Sequence, residues 1–200
     1  MVSNTEHVET QKEKYNKLRL ECWNNALHSF ALSYIFDKKA KKNSFNTNLL
    51  KVFGIVVPIT VGATAMGYDL DSNTLKLIIT LAIPLTIFQL IFSVFAVVYK
   101  WDDVLAYSYE ASQDLSLLSD EFRKLGNLPP EDYSELDQKF EVLNTRFKSR
   151  SQQNTKYNIS EKELRKGMRY GLREFQRKCI GCKEIPNSMK SSDCHVCGKF

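Results

Sequence analysis

Two long apolar runs, Val52–Tyr68 and Leu77–Tyr99, lie in the middle of a chain whose flanks are polar and charged. A helix that crosses a hydrocarbon core of about 30 Å needs about 20 mostly apolar residues. The second run has 23 residues without a charge, and the first has 17. The pattern predicts a transmembrane hairpin over residues 49–99, with spans at 49–68 and 77–99. Two buried helices of a soluble protein are the alternative.

The segment before the hairpin, residues 1–48, is predicted to form an amphipathic helix and a basic juxtamembrane stretch. Residues 6–37 contain no Pro or Gly and place apolar side chains three or four positions apart. Residues 38–48 are rich in Lys, Asn, Ser and Thr, which predicts a break before the first span. The apolar face is expected to pack on cytoplasmic helices or to lie at the membrane surface. Cys22 lies on that face and is interpreted as a small buried hydrophobe.

After the hairpin, apolar positions recur in alternating steps of three and four, the spacing of a coiled-coil seam. A first seam runs from Trp101 to Leu125, and a second from Tyr133 to Phe147. Gly and Asn end the first segment, and two prolines precede the second. We therefore expect a cytoplasmic helical hairpin over residues 100–150. Its seams could close on each other, on the N-terminal helix, or on other copies of the chain.

Residues 151–178 are predicted to form a linker and a basic helix, with the polar linker covering 149–158. Ser160 and Glu163 make the capping box S-x-x-E that opens this helix. One side of the helix is basic and includes Lys162, Arg165, Arg169 and Arg173. A solvated or lipid-facing surface explains this charge. Nucleic-acid binding stays as an alternative, although no aromatic-interleaved binding module supports it.

Charge predicts the orientation of the hairpin. Residues 1–51 carry nine Lys or Arg against five Asp or Glu, whereas the predicted tip carries Asp69, Asp71 and Lys76. By the positive-inside rule, both ends of the chain are cytoplasmic and the tip faces outward. We expect a multi-pass membrane protein.

Small and polar residues predict contacts between the spans. Gly54 and Gly62 share one face of the first span and would let another helix approach closely. Thr86, Gln89 and Ser93 share one face of the second span. Such a stripe either holds helices together or lines a water-filled path.

The sharpest motif is C-x2-C-x11-C-x2-C, formed by Cys179, Cys182, Cys194 and Cys197. Thiols stay reduced on the cytoplasmic side, so the spacing indicates a metal site rather than disulfides. Two residues within each pair let both thiolates reach one ion, and eleven residues between pairs allow a short hairpin that completes tetrahedral Zn–S4 coordination. This predicts a small zinc ribbon over 179–200, with iron–sulfur or disulfides as alternatives. Gly181 and Gly198 are expected to supply positive φ angles.

The same motif argues against an enzyme. Four thiolates close the coordination sphere of Zn2+, whereas a catalytic zinc keeps an open position. The sequence contains no G-x-S-x-G motif, no P-loop and no paired carboxylates at a telling spacing. The metal is instead expected to fold the last 22 residues.

The basic N-terminal helix, the two close spans and the helical extension, over residues 10–150, resemble the SLATT domain family. These are two-transmembrane effectors associated with nucleotide-signalling conflict systems. The cysteine spacing over 179–200 also resembles a group of mobile-element proteins described by that pattern. The expected fold class is an all-α membrane protein that combines a transmembrane hairpin, amphipathic and coiled-coil cytoplasmic helices and a small C-terminal zinc ribbon.

The resemblance implies an inner-membrane effector of antiphage defence that oligomerises and permeabilises the lipid bilayer. It also implies a nucleotide-signalling or sensor protein as partner. The alternative is a membrane adaptor that does not permeabilise the bilayer. Its zinc ribbon and basic helix would recruit a protein or nucleic acid.

Overall fold

A computed structural model describes the backbone of residues 2–67 and 72–200, with side chains from residue 11 onward in those ranges. Its helices are α1 (Val2–Gly67), α2 (Asn73–Val98), α3 (Trp101–Asn127), α4 (Tyr133–Asn154) and α5 (Glu161–Glu174). No strand occurs in these two ranges, which confirms the all-α prediction for them. The chain divides into two compact units. We call Lys39–Tyr107 the apolar unit, and the residues up to Lys38 together with Ser108–Phe200 the helical unit.

Helix α1 continues through residues 38–48, so the predicted break there is wrong. This segment contains neither Gly nor Pro, and lysine is a good helix former. Its polar side chains can also bond along the helix. Asn48 Nδ2 donates to Ser44 Oγ at 3.5 Å, one turn earlier. A cluster of Asn, Ser and Thr therefore did not suffice to end the helix.

The core of the helical unit joins α1, α3 and α4. Its buried members are Leu18, Cys22, Ala26, Phe122, Leu125, Leu136 and Phe140. Ser119 Oγ donates to the carbonyl oxygen of Ala26 at 2.8 Å, which ties α3 to α1. Cys22 is fully buried, and burial raises the pKa of its thiol to about 11. The predicted buried role of Cys22 is confirmed, and members of both heptad seams, such as Phe122 and Phe140, pack in this core.

Polar contacts fix the turn between α3 and α4 against α1. Arg19 Nε donates to the carbonyl oxygen of Gly126 at 2.8 Å, which satisfies an acceptor at the end of α3. The Tyr15 hydroxyl donates to the carbonyl oxygen of Pro130 at 2.7 Å. Gly126 also packs on Trp23, where an added Cβ would lie 3.0 Å from the indole nitrogen. The turn is thus held by backbone acceptors and a close aromatic contact.

Helix α4 ends at Asn154, so the predicted linker over 149–158 is too long. Arg150, whose side chain is 6% exposed, forms ion pairs with Glu110, at 2.8 Å, and with Asp114. These pairs hold the last turns of α4 on α3. The capping box at Ser160 and the helix that follows it are confirmed.

The apolar unit contains two helical stretches that are long and apolar enough to span a membrane, one in Gln11–Gly67 and one in Asn73–Val98. Neither apolar stretch is buried. Large side chains such as Leu90 and Val97 point outward, at 63% and 77% exposure. Part of the predicted tip, residues 69–71, lies outside the described residues, as does Tyr68 at the end of the first predicted span.

Candidate metal centre

Helix α5 lies against α1 at two glycines, which positions the cysteines that follow it. A Cβ at Gly167 would lie 2.7 Å from the carbonyl oxygen of Ala31, so a larger residue would push the helices apart. At Gly171 the space is ordinary, with Leu27 O at 3.4 Å. The cysteine segment then packs on the same part of α1, in a small core that includes Leu27 and Cys179.

Each cysteine pair lies in a tight turn. In the first turn, Lys183 N–H donates to the carbonyl oxygen of Cys179 at 2.8 Å. Gly181 N–H approaches the Sγ of Cys179 at 3.4 Å. In the second turn, Gly198 N–H donates to the carbonyl oxygen of Cys194 at 2.9 Å. The two turns therefore present their sulfurs in the same way.

The four sulfurs converge on one point. Cys179 Sγ and Cys194 Sγ lie 3.8 Å apart, and so do Cys182 Sγ and Cys197 Sγ. All four sulfur atoms lie within 4.8 Å of one another. Zinc with Zn–S bonds of about 2.3 Å at the centre of a tetrahedron would separate its sulfurs by about 3.8 Å. The cluster therefore has the size that a tetrathiolate metal site requires.

The turns also affect how readily the thiols ionise. Backbone N–H groups of Cys197 and Val196 donate to the sulfur of Cys194 and lower the pKa of this thiol to about 6. Burial and hydrogen bonds with the neighbouring thiols raise the pKa of Cys197. Because metals bind thiolates, these N–H donors favour the form of Cys194 that can ligate an ion.

The prediction that Gly181 and Gly198 adopt positive φ is wrong, because no glycine in the described chain does. The positive angles occur at Lys183 (φ 62°) and Lys199 (φ 53°) instead. Glycine is required at these two positions because neighbouring atoms approach the backbone too closely for a side chain. A Cβ at Gly198 would overlap the carbonyl oxygen of Ser192, and one at Gly181 would lie 3.1 Å from Cys194 Sγ.

The segment between the pairs, residues 183–193, forms no β-hairpin, so the ribbon expected here lacks strands. Arg169 of α5 holds the end of this segment instead. Its Nε donates to the carbonyl oxygen of Ser188 at 2.7 Å, and its Nη1 donates to Ser192 Oγ at 3.1 Å. Contacts with a helix thus take the place of strand pairing.

Arg169 is not part of a basic surface, contrary to the sequence prediction, because it is only 8% exposed. The helical periodicity placed Arg169 on the same face as other basic residues. It did not reveal that residues 188–197 fold over this side chain. Lys162 is exposed, whereas Arg165 and Arg173 are partly buried. The Arg173 guanidinium lies over the ring of Tyr170, 5.3 Å from its centroid. The four residues predicted to form one basic surface therefore lie in different environments, from exposed to buried.

Residues 19–200 match the family described as Mobilome CxxCx(11)CxxC protein. The chain belongs to this family. The match covers most of α1 and all of α2 to α5, so it extends over the helices as well as the cysteines. No curated protein and no solved structure matches the chain. The resemblance to the SLATT domain family stays a prediction.

In this mobilome protein, Gly54 and Gln89 face each other within the apolar unit. A Cβ at Gly54 would lie 2.9 Å from Gln89 Nε2, in agreement with close packing there. Gly62 has no atom within 4 Å of such a Cβ, so its predicted close packing has no partner within the described chain and stays a prediction. Thr86 is exposed, and its hydroxyl donates to the carbonyl oxygen of Ala82 at 2.7 Å. Ser93 is half-buried like Gln89.

Sequence reasoning missed the glycines that join α5 to α1. Gly167 and Gly171 are four residues apart, which places them on one face of a helix. That spacing was a readable signal for close helix packing. The role of Arg169 left no comparable signal, because its partners lie 19 to 28 residues later in the chain.

Proposed function

We propose that the apolar unit inserts into the cytoplasmic membrane as a hairpin, with both chain ends on the cytoplasmic side. The exposed leucines, isoleucines, valines and phenylalanines of both helices support insertion, since a contiguous apolar surface of this kind needs lipid or another protein. The basic residues that precede the first span support the orientation.

The proposal includes Zn2+ as the ion of the cysteine cluster. Cys179, Cys182, Cys194 and Cys197 would hold it, and the sulfur separations of 3.8 Å suit tetrahedral coordination. Bound zinc would stabilise the fold of the last 22 residues, which are too few to form a core alone. A closed tetrathiolate site supports a structural role and no catalysis.

We propose that the protein is a membrane effector that permeabilises the bilayer when several chains assemble. The observation that carries this proposal is the position of Gln89. Its amide is half-buried within an apolar helix, against a glycine that has no side chain to bond with it. An amide in hydrocarbon needs hydrogen bonds, and assembled hairpins would provide other amides or water. Antiphage defence and a nucleotide-signalling partner are the setting that the SLATT resemblance suggests.

A non-permeabilising adaptor is the second candidate. It is favoured by the fact that hydroxyl groups of α2 are already satisfied along their own helix. The Thr86 hydroxyl donates to the carbonyl oxygen of Ala82, and the Thr80 hydroxyl donates to that of Lys76. In that case the helical unit and its metal site would recruit a protein or nucleic acid, and the hairpin would only anchor them.

The two candidates differ in whether the purified protein makes liposomes leak. We would measure release of an encapsulated dye and of potassium from liposomes that contain the zinc-loaded chain, its Gln89→Leu variant and a Thr80→Val control. Thr80 is exposed on the same helix, and its hydroxyl donates to the carbonyl oxygen of Lys76 at 2.7 Å. Cross-linking would report assembly in each sample.

A permeabilising effector predicts leakage from the wild type and from Thr80→Val, with loss of leakage in Gln89→Leu despite unchanged assembly. Leakage that persists in Gln89→Leu would show that Gln89 does not line the path by which dye and potassium cross the bilayer. An inserted, assembled wild type that never leaks would contradict permeabilisation and favour the adaptor.

A further inference from the structure

We infer that Arg169 is a positioning residue of the metal site, which fixes the second cysteine pair on α5 and places a positive charge beside the sulfurs. The inference rests on the proposed zinc site and goes beyond it. It concerns a residue that is neither a ligand nor part of the cysteine motif.

The guanidinium of Arg169 reaches both the loop and a ligand. Its Nη1 donates to the carbonyl oxygen of Cys197 at 3.2 Å and lies 3.9 Å from the Sγ of the same residue. The same group bonds Ser192 Oγ, and Nε bonds the carbonyl oxygen of Ser188. Because the residue is 8% exposed, water competes little for these bonds. One side chain therefore holds three points of the segment that ends at the last ligand.

These contacts matter because no helix or strand leads into the second cysteine pair. Only four residues separate the end of α5 from the first cysteine pair, but the second pair is reached only through eleven more residues without helix or strand. Ordering such a loop costs conformational entropy, and binding weakens when the ion itself must bring the loop into place. Arg169 orders the loop from the helix that also leads into the first pair. The four sulfurs are then near their final positions before metal binds.

The positive charge of Arg169 also favours metal binding at the cysteine cluster. Four thiolates around Zn2+ have a formal charge of about −2, and burying such a charge is costly without a compensating group. The cavity beside the cluster is also lined by the acidic residues Glu184 and Asp193, whereas Arg169 is the basic residue in its lining. Arginine stays protonated and presents several donors in a fixed plane, so one residue can supply both charge and geometry.

The test is metal affinity of the full-length chain in detergent. Co2+ titrations would be followed by the sulfur-to-cobalt absorption band and by competition with Zn2+. The variants are Arg169→Met, which loses charge and donors, and Arg169→Lys, which keeps the charge but loses the planar fork of donors. Lys162→Met is the matched control, because it removes an exposed positive charge from the same helix.

We expect Arg169→Met to weaken metal affinity roughly 10- to 100-fold, the usual effect of removing a group that orients metal ligands. Arg169→Lys should lose less, and Lys162→Met should bind as the wild type does. Thermal unfolding with and without chelator separates the roles. A positioning residue lowers the unfolding temperature mainly in the metal-loaded protein, whereas a merely structural residue lowers it equally in both states.

Wild-type affinity in both Arg169 variants, or an equal loss of stability with and without metal, would overturn the inference. If Arg169→Met does not fold, Arg169→Lys decides, because weaker binding by a folded lysine variant is still expected. A wild type that binds no Co2+ or Zn2+ would instead contradict the zinc site itself, and the inference would fall with it.

Discussion

The helical unit and the apolar unit use helices of similar length in opposite ways. In the helical unit Leu115 is fully buried, whereas in the apolar unit Leu90 is 63% exposed. The helical unit joins its elements with polar groups such as Arg19 and the buried Arg150 and Arg169. The apolar unit instead presents its large apolar side chains outward. The comparison shows that the first unit completes its own core, while the second needs an apolar partner outside itself.

The same difference is visible in the glycines. Gly167 is required because a backbone oxygen of α1 fills the space that a Cβ would occupy. Gly54 faces only the movable end of Gln89, and Gly62 faces open space. Gly167 therefore bears directly on stability, whereas Gly54 and Gly62 have little effect within a single chain.

The largest expected effect comes from removing the first ligand pair. Cys179→Ser combined with Cys182→Ser should abolish metal binding and expose residues 179–200 to proteases. The reason is that structural zinc supplies the folding free energy of such short segments. The core of α1, α3 and α4 should persist, since it contains none of these ligands. Metal content by mass spectrometry and limited proteolysis would check both parts.

Cys22→Ala is the control for this experiment, because Cys22 lies in that other core and not in the cluster. It should retain the full metal content. Metal loss from Cys22→Ala, or a fully protected C-terminus in the double serine variant, would argue against a metal-dependent segment.

A smaller effect is expected where α5 meets α1. Gly167→Ala should destabilise the protein by up to about 2 kcal/mol, since overpacking costs about 1–3 kcal/mol and alanine regains about 1 kcal/mol of helix propensity. Gly171→Ala should be neutral or stabilising by up to about 1 kcal/mol, because its Cβ would have ordinary contacts at 3.4 to 3.7 Å. Chemical denaturation followed by circular dichroism would compare the two. Equal effects at both positions would mean that the helices do not approach more closely at Gly167.

Patterns that act over one or two helical turns were readable from the sequence. The steps of three and four gave the buried face of α3, including Leu115 and Phe122, and the S-x-x-E motif gave the start of α5. The cysteine spacing gave the four residues whose sulfurs meet. Each of these features depends on residues close together in the chain or on a fixed chemical motif.

Features that depend on distant contacts were not readable. Arg169 has the sequence context of a surface residue and becomes buried only because residues 188–197 fold over it. Helix α4 continues into the polar segment that was predicted as a linker, because Arg150 in that segment pairs with acidic residues of α3. Positive φ falls on Lys183 rather than on Gly181, since the turn requires close packing at the glycine.

The smallest expected effect sharpens the account of the apolar unit. Gly54→Ala places a Cβ 2.9 Å from Gln89 Nε2, so the amide must move. Because this atom ends a flexible side chain, the cost should be at most about 1 kcal/mol, that of a strained rotamer. Gly62→Ala should leave the amide where it is. The side-chain resonances of Gln89, recorded in micelles with ¹⁵N-glutamine and assigned with Gln89→Leu, should shift in the first variant only. Equal shifts in both variants would show that Gln89 does not lie against Gly54, and the hairpin contact on which the permeabilisation proposal depends would have to be abandoned.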